Sequence, residues 1–441
     1  MSRGCRALLS CLLSCAACGE KAPRERIVLV TLDTLRSDAL ERDDGTSDMP
    51  LLAARAERCT VFERAYSASS TTQPTHATLL TGRHPWEHGV TRNGIVLGEE
   101  EPTLAEALKE RGFETHAVVA AYPLHRRFGF AQGFDSFHDD FHQEYVREWE
   151  GGEIEGGRFY SLAEALTDEA LRELERAEAD RQFFWFHYFD AHDPYGDSGG
   201  DSGAEVVAIE RLLALAAAAD PRLAGELARA REFYARDVRA LDRSLARLLE
   251  TLEQDERYQT HVLLTADHGE SFGELGCLGH GKRLVPAQLH VPLLIASPRL
   301  APGRREDPVG TVDVTRTVLA LAGVVPRAGG VHGVDLLRER GGSVVGMRRT
   351  FAEAKAEQLT DGRRTLLRPQ AFFAVHQGAL YAGDREVVFL DDDPSQPIGE
   401  EIGLELRVLF GGFEERLEGK AFHELVDPET QDALRKLGYA R

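Results

Sequence analysis

Three short apolar runs, each breaking off at an aspartate, constrain this chain more than any other feature. They are Ile27-Val28-Leu29-Val30-Thr31-Leu32 before Asp33, Phe183-Phe184-Trp185-Phe186-His187-Tyr188-Phe189 before Asp190, and His261-Val262-Leu263-Leu264-Thr265-Ala266 before Asp267. Runs of this length, rich in Val, Leu, Thr and aromatic residues and alternating with long helical patterns, predict a mostly parallel sheet flanked by helices. In such sheets ligands gather beyond the carboxyl ends of the strands. The breaks therefore put Asp33, the segment Asp190-Ala191-His192-Asp193, and Asp267-His268 on one edge.

Two carboxylates with an imidazole suit one divalent cation; oxygen ligands favour Ca or Mg, and the histidine moves the balance towards Zn or Mn. A cation lowers the pKa of a bound hydroxyl, so a hydroxyl beside it becomes a usable nucleophile near neutral pH. Thr72 is placed to supply one. The segment from Thr72 to Gly82 has a hydroxyl at its start, Pro74 in the first turn and a closing glycine, which predicts a helix whose free N–H groups face an incoming sulfate or phosphate.

These stretches resemble the sulfatase branch of the alkaline phosphatase superfamily. Residues 27–38 are similar to that family's opening strand. The run Pro74-Thr75-His76-Ala77-Thr78-Leu79-Leu80-Thr81-Gly82, followed by His88-Gly89-Val90, is similar to its nucleophile helix. Asp267-His268-Gly269-Glu270-Ser271-Phe272-Gly273-Glu274, with Gly279-His280-Gly281-Lys282 and Val291-Pro292-Leu293, resembles its second metal segment. The likeness runs in order over roughly residues 26–340, and Leu437-Gly438-Tyr439 resembles the usual tail. It implies an alkaline-phosphatase-like α/β fold with helices on both faces of a mostly parallel sheet and a small C-terminal antiparallel sheet. It also implies a metal-dependent hydrolase of sulfuric or phosphoric esters.

The departures from the family decide the chemistry. Sulfatases carry a cysteine or serine, then x-Pro-Ser-Arg, and oxidise the first residue to formylglycine; here the aligned residues are Thr72, Pro74, Thr75 and His76. Threonine cannot become that aldehyde. A phosphorylated threonine, in contrast to a sulfated one, is resolved by in-line attack of water or an alcohol, so the substitution favours phosphoryl chemistry. Where the family has a second aspartate this chain has Thr34, and where it often has Asn there is His268. The expected metal ligands are Asp33, Thr72, Asp267 and His268, a set similar to the one-metal site of lipoteichoic acid synthases and phosphoethanolamine transferases. His280 and His192 resemble the substrate-side histidines of those transferases and are the expected proton donors to the leaving oxygen.

Each assignment has a plainer alternative. Thr72 would serve equally as a helix cap. His280, between two glycines, is placed either to touch substrate or to pack its loop, and His192 is similar. Asp190 is a substrate contact, a second ligand or a turn former before Pro194. His76 and Lys282 are candidate anion contacts, with solvated surface as the alternative. His187 is expected to face the core of an aromatic strand. Three functions stay open: an ester hydrolase, a transferase moving a phosphoryl-linked head group onto an envelope glycan or lipid, and a metal-binding envelope protein that has lost turnover.

The first seventeen residues carry Arg3 and Arg6 and then a short apolar stretch, Ala7 to Leu13, which has the shape of a secretory signal. Cys18-Gly19 after Ala16-Ala17 resembles a lipoprotein cleavage site, with Cys15 as the competing position, so export to the envelope or periplasm and a lipid anchor are expected. Four of six cysteines (Cys5, Cys11, Cys15 and Cys18) lie in this leader or directly after it, leaving Cys59 and Cys277 with no implied disulfide framework. The formal charge of −21 argues against a nucleic-acid partner. Residues 18–25 read as a linker, 26–340 as the catalytic domain and 341–441 as a C-terminal subdomain of short strands. Residues 139–160 and 196–204, rich in Gly and Asp, read as loops near the site, and the Ala-rich part of 205–253 as a helical packing spacer.

Overall fold

Nine consecutive residues, Arg24–Leu32, form the middle of the molecule, and all but the first are buried. The structure, a computed structural model, describes residues 24–341 apart from 43, 145–146, 150–151, 155–157, 200–204, 282–283 and 327–329, and beyond 341 the strands named below. The order across the eight-stranded sheet is Gly303–Arg305, Thr60–Phe62, Leu293–Ala296, Tyr258–Ala266, Arg24–Leu32, Arg181–Tyr188, Glu114–Val119 and Ser136–His138. Arg24–Leu32 runs parallel to both neighbours, and Leu293–Ala296 runs against the rest. Strands buried on both faces need no polar alternation, which is why the three apolar runs are continuous.

Side-chain parity sorts the helices. Thr31 pairs with His187 in register, and the ring of His76, on helix Thr72–Thr81, reaches the Thr31 hydroxyl at 3.1 Å. On the other face the Tyr188 hydroxyl meets Thr167 of helix Ala163–Arg176 at 2.9 Å. Successive side chains of a strand point to opposite faces, so these two helices lie on opposite sides of the sheet. Thr72–Thr81 packs with Thr311–Leu321, and Ala163–Arg176 packs with the long helix Leu223–Gln254. Odd-numbered Asp33 and Asp267 therefore emerge on the face that carries Thr72.

One sequence expectation changes here, and one is met. The stretch 139–160 is not plain loop: Gln143–Glu144 pairs with Arg158–Tyr160 and Arg147–Trp149 with Gly152–Ile154. The Ala-rich stretch forms helix Ile209–Ala217, which packs on Leu278–Gly279 and so backs the loop that carries His280. In the C-terminal part, Val344–Arg348, Ala371–His376, Ala379–Gly383 and Val387–Phe389 form an antiparallel sheet, as expected. Among the described residues no helix is long and apolar enough to cross a membrane. Cys59 and Cys277 are both buried and are not joined by a disulfide. The leader with Cys15 and Cys18, and the acidic run 391–393, lie outside the described residues.

Candidate functional site

Strand register delivers the two acids. Leu32 pairs with Ala266, so Asp33 and Asp267 leave adjacent parallel strands at the same level, both essentially fully buried. Asp33, Asp267 and His268 each offer one ligand atom within 4.8 Å of the others. His268 Nε2 is 3.5 Å from Asp267 Oδ2 and 4.0 Å from Asp33 Oδ1.

The remaining atoms of these residues are tied back to the protein. Asp267 Oδ1 accepts from the backbone N–H of Thr34 (3.1 Å) and of His268 (2.7 Å). Asp33 Oδ2 is met by His187 Nε2 at 3.3 Å. His268 Nδ1 lies 3.0 Å from the Gly269 carbonyl, which can only accept, so Nδ1 carries the proton and Nε2 presents its lone pair. Thr34 sits at φ 53°, a left-handed conformation that is an outlier for a β-branched residue. That conformation aims its N–H at Asp267, while its carbonyl is held by the Tyr234 hydroxyl at 3.1 Å.

Thr72 is the first residue of its helix and is not its cap: Thr71 holds that position without a side-chain bond. The capping work is done from outside, where Asn93 Oδ1 accepts from Gln73 N at 2.8 Å. The Thr72 hydroxyl approaches Asp33 closely enough to lower that carboxyl, but it has no aligned hydrogen-bond partner. Burial raises Asp33 to about 8, against the opposing charge of His280. Burial likewise raises Asp267, and the charge of Asp33 adds to it.

His280 and His192 stand together beside this group. Their rings are 5.0 Å apart, and the ring of His280 is 4.5 Å from that of His268. Gly279 and Gly281 both have φ 73°, which turns the backbone sharply on either side of His280. A Cβ on Gly281 would lie 3.7 Å from Thr71 Oγ1, so this loop covers the start of the Thr72 helix. His280 Nδ1 is 3.2 Å from Glu270 Oε2, which also accepts from the Tyr195 hydroxyl at 2.8 Å. Burial pushes Glu270 up, but the charge of His280 and these hydrogen bonds outweigh it and leave the carboxyl low. His192 stacks on Phe189 at 4.3 Å, and burial drives it well below the ordinary range.

The other sequence candidates differ in their distance from this group: the His76 ring borders it, with Nδ1 3.8 Å from Asp267 Oδ2. His76 is wholly buried beneath the helix start, with Nδ1 on the Thr72 carbonyl (2.9 Å) and Nε2 on Thr31 Oγ1; burial lowers it to about 3. Asp190 Oδ1 accepts from Ala163 N at 3.0 Å, at the start of helix Ala163–Arg176, and burial raises it to about 6. Lys282 lies outside the described residues. Sequence reasoning missed His187, Glu270, Tyr195 and Asn93 as supports of the site. Glu270 was legible inside Asp267-His268-Gly269-Glu270; the others carry no local signal.

Asp33 Oδ1, Thr72 Oγ1, Asp267 Oδ2 and His268 Nε2 are among the buried atoms that lack hydrogen-bond partners. Unsatisfied buried polar atoms are rare and each calls for a reason. Three oxygens and an imidazole nitrogen, with every other polar atom of the two acids and the histidine engaged, fit a divalent cation.

The same architecture occurs in solved structures, which give the class of the fold. A 2-O GAG sulfatase matches with TM-score 0.68 at 15% identity, covering 92% of this chain and 96% of that one. The phosphonate monoester hydrolase of Agrobacterium radiobacter matches at 0.64 and 19%, covering 89% and 95%. The chain shares the fold of these proteins. A family model described as Sulfatase matches residues 25–324, and the chain belongs to that family. Its relatives include an uncharacterized sulfatase of Escherichia coli (23% identical, 63% of this chain and 63% of that protein). The ulvan-active sulfatase of Formosa agariphila is 26% identical over 72% and 65%, and the choline-sulfatase of Rhizobium meliloti 25% over 68% and 68%. The chain thus spans just under two thirds of the length of the first two.

Proposed function

We propose that the protein is a metal-dependent hydrolase of sulfate or phosphate esters in which Thr72 is the nucleophile. The observation that supports it most is the meeting of buried ligand atoms of Asp33, Asp267 and His268 within 4.8 Å of one another, with the Thr72 hydroxyl beside Asp33. A divalent cation held by these residues would lower the pKa of the Thr72 hydroxyl and offset negative charge on the ester oxygens.

In the proposed reaction the Thr72 hydroxyl gives up its proton to solvent water, and Oγ1 bonds to phosphorus or sulfur as the bond to the alcohol oxygen breaks. His280 gives that oxygen a proton, while His192, kept neutral by burial, stands beside it. Glu270 engages Nδ1 of His280, which leaves Nε2 as the nitrogen turned away from that anchor. Water then cleaves the threonine ester and restores the hydroxyl. This second step favours phosphorus, because threonine has no second hydroxyl with which to expel sulfate by elimination. The solved relatives bracket this choice, since they include both a 2-O GAG sulfatase and phosphonate monoester hydrolases. A sulfated-sugar complex is among the fold neighbours, so the substrate proposed here is an anionic ester.

Export follows from the leader as a proposal, with lipid attached at Cys18 or Cys15; loss of membrane association on changing both cysteines to serine tests it. For the chemistry, the test is acid quenching during turnover of an aryl phosphate and peptide mass analysis. A phosphorylated Thr72 peptide supports the reading. Turnover without any modified Thr72 at the earliest quench times contradicts it.

A further inference from the structure

The far end of the Thr72 helix carries a second group of ligand atoms. His84, Glu87 and His332 each offer one atom within 4.8 Å of the others. The local sequence explains the meeting. Gly82 ends the helix at φ 66°, and a Cβ there would stand 2.5 Å from Val331 Cγ1, so only glycine lets the 331–332 segment lie against the helix end. His332 N then bonds the Gly82 carbonyl at 2.8 Å. The chain turns through the short helix Pro85–His88, where Glu87 Oε2 accepts from His84 N at 2.9 Å.

Two imidazoles and one carboxylate are the donors of a borderline transition metal and differ from the oxygen sets that hold calcium or magnesium. The geometry is built. The His84 ring stacks on the buried Trp86 at 4.5 Å and lies 4.7 Å from the ring of His332. His332 Nε2 is 2.8 Å from Glu87 Oε1. His84 is buried, Glu87 is nearly so, and His332 is 35% exposed, so the group has protein on one side and water on the other. That is an open three-ligand arrangement, in which water completes the shell. His332 also comes from a segment far along the chain, and a cation here would cross-link it to the end of the helix that begins at Thr72.

We infer that His84, Glu87 and His332 form a second metal site, for Zn2+ or a similar divalent transition ion, which takes the place of the proton shared by Glu87 and His332 and fastens residues 331–332 to the nucleophile helix. The site lies at the opposite end of that helix from Asp33 and Asp267 and does not depend on the reaction proposed above.

The test counts metal. Full-length protein saturated with Zn2+ and freed of excess by gel filtration is compared with His332→Asn and Glu87→Gln by elemental analysis. Both variants are expected to hold one equivalent fewer than wild type while circular dichroism and ester turnover stay unchanged. Co2+ titration of wild type supplies a reading that needs no variant: a phase with the absorption of a nitrogen-and-oxygen site is expected beyond the first equivalent. Equal zinc in all three proteins, or a single Co2+ phase, would overturn the inference and leave an ordinary histidine–glutamate ion pair.

Discussion

Asp33 and Asp267 end neighbouring parallel strands at the same register, yet they are anchored from different directions: Asp33 by His187 Nε2 at 3.3 Å, Asp267 by two backbone N–H groups. Each keeps one oxygen for the space they share with His268 Nε2. Register supplies the separation, and the anchors supply the orientation.

The anchor on Asp33 is the more vulnerable. His187 is fully buried, and burial lowers it to about 4, so it acts as a neutral ring. Replacing it by Leu keeps the bulk and removes the hydrogen bond. Metal affinity should fall by about 10–100-fold, as is usual when a partner of a ligand is lost. Calorimetric titration with Zn2+ or Mn2+ checks this; unchanged affinity would show that His187 only fills the core.

Metal removal should create a pH dependence. Without a cation, burial raises Asp33 from 3.8 to about 8, and Asp267 is also raised. An acid that holds its proton more tightly when folded contributes stability fully below its unfolded value, and that contribution is lost as pH rises through the folded one. The melting temperature of chelated protein should therefore drop by several degrees between about pH 4 and 8. Metal-saturated protein should show little of this drop, because the cation offsets the two carboxylates. Parallel scanning calorimetry with and without chelator measures it, and identical profiles would contradict the shared site.

His280 should matter in proportion to the leaving group. General acids contribute roughly 10²–10⁴ in rate. His280→Gln should therefore lose about that much on an alkyl ester and far less on a nitrophenyl ester, whose alcohol leaves without a proton. Steady-state kcat on the two substrates tests it. An equal loss on both would assign His280 to loop packing through Glu270 instead.

What the sequence made legible follows from what is local. Continuous apolar runs gave the three central strands, and their abrupt ends gave Asp33, Asp267 and His268, because strand length and a polar break are read along the chain. His187 reads as a core residue, and it is wholly buried. Its neighbours are aromatic, and only the parity shared with Thr31 and Asp33 reveals that its ring points at the site. Thr72 starts its helix, as its run implies, but its hydroxyl is not the cap: Asn93, twenty residues beyond Gln73, accepts from the Gln73 N–H. Thr34 looked like a missing ligand; its left-handed backbone, which turns its N–H onto Asp267, depends on the neighbouring strand. Asp190 broke its run as the other two acids did, but its strand end lies beside helix Ala163–Arg176, whose first N–H it binds.

The measurement that bears most directly on the account is turnover by metal-saturated Thr72→Ala beside wild type on paired aryl sulfate, aryl phosphate monoester and aryl phosphodiester substrates. The account predicts phosphoester cleavage by wild type and a loss of at least about a thousandfold in kcat for the variant, with circular dichroism unchanged. Turnover that survives in Thr72→Ala, on any of the three esters, would contradict it.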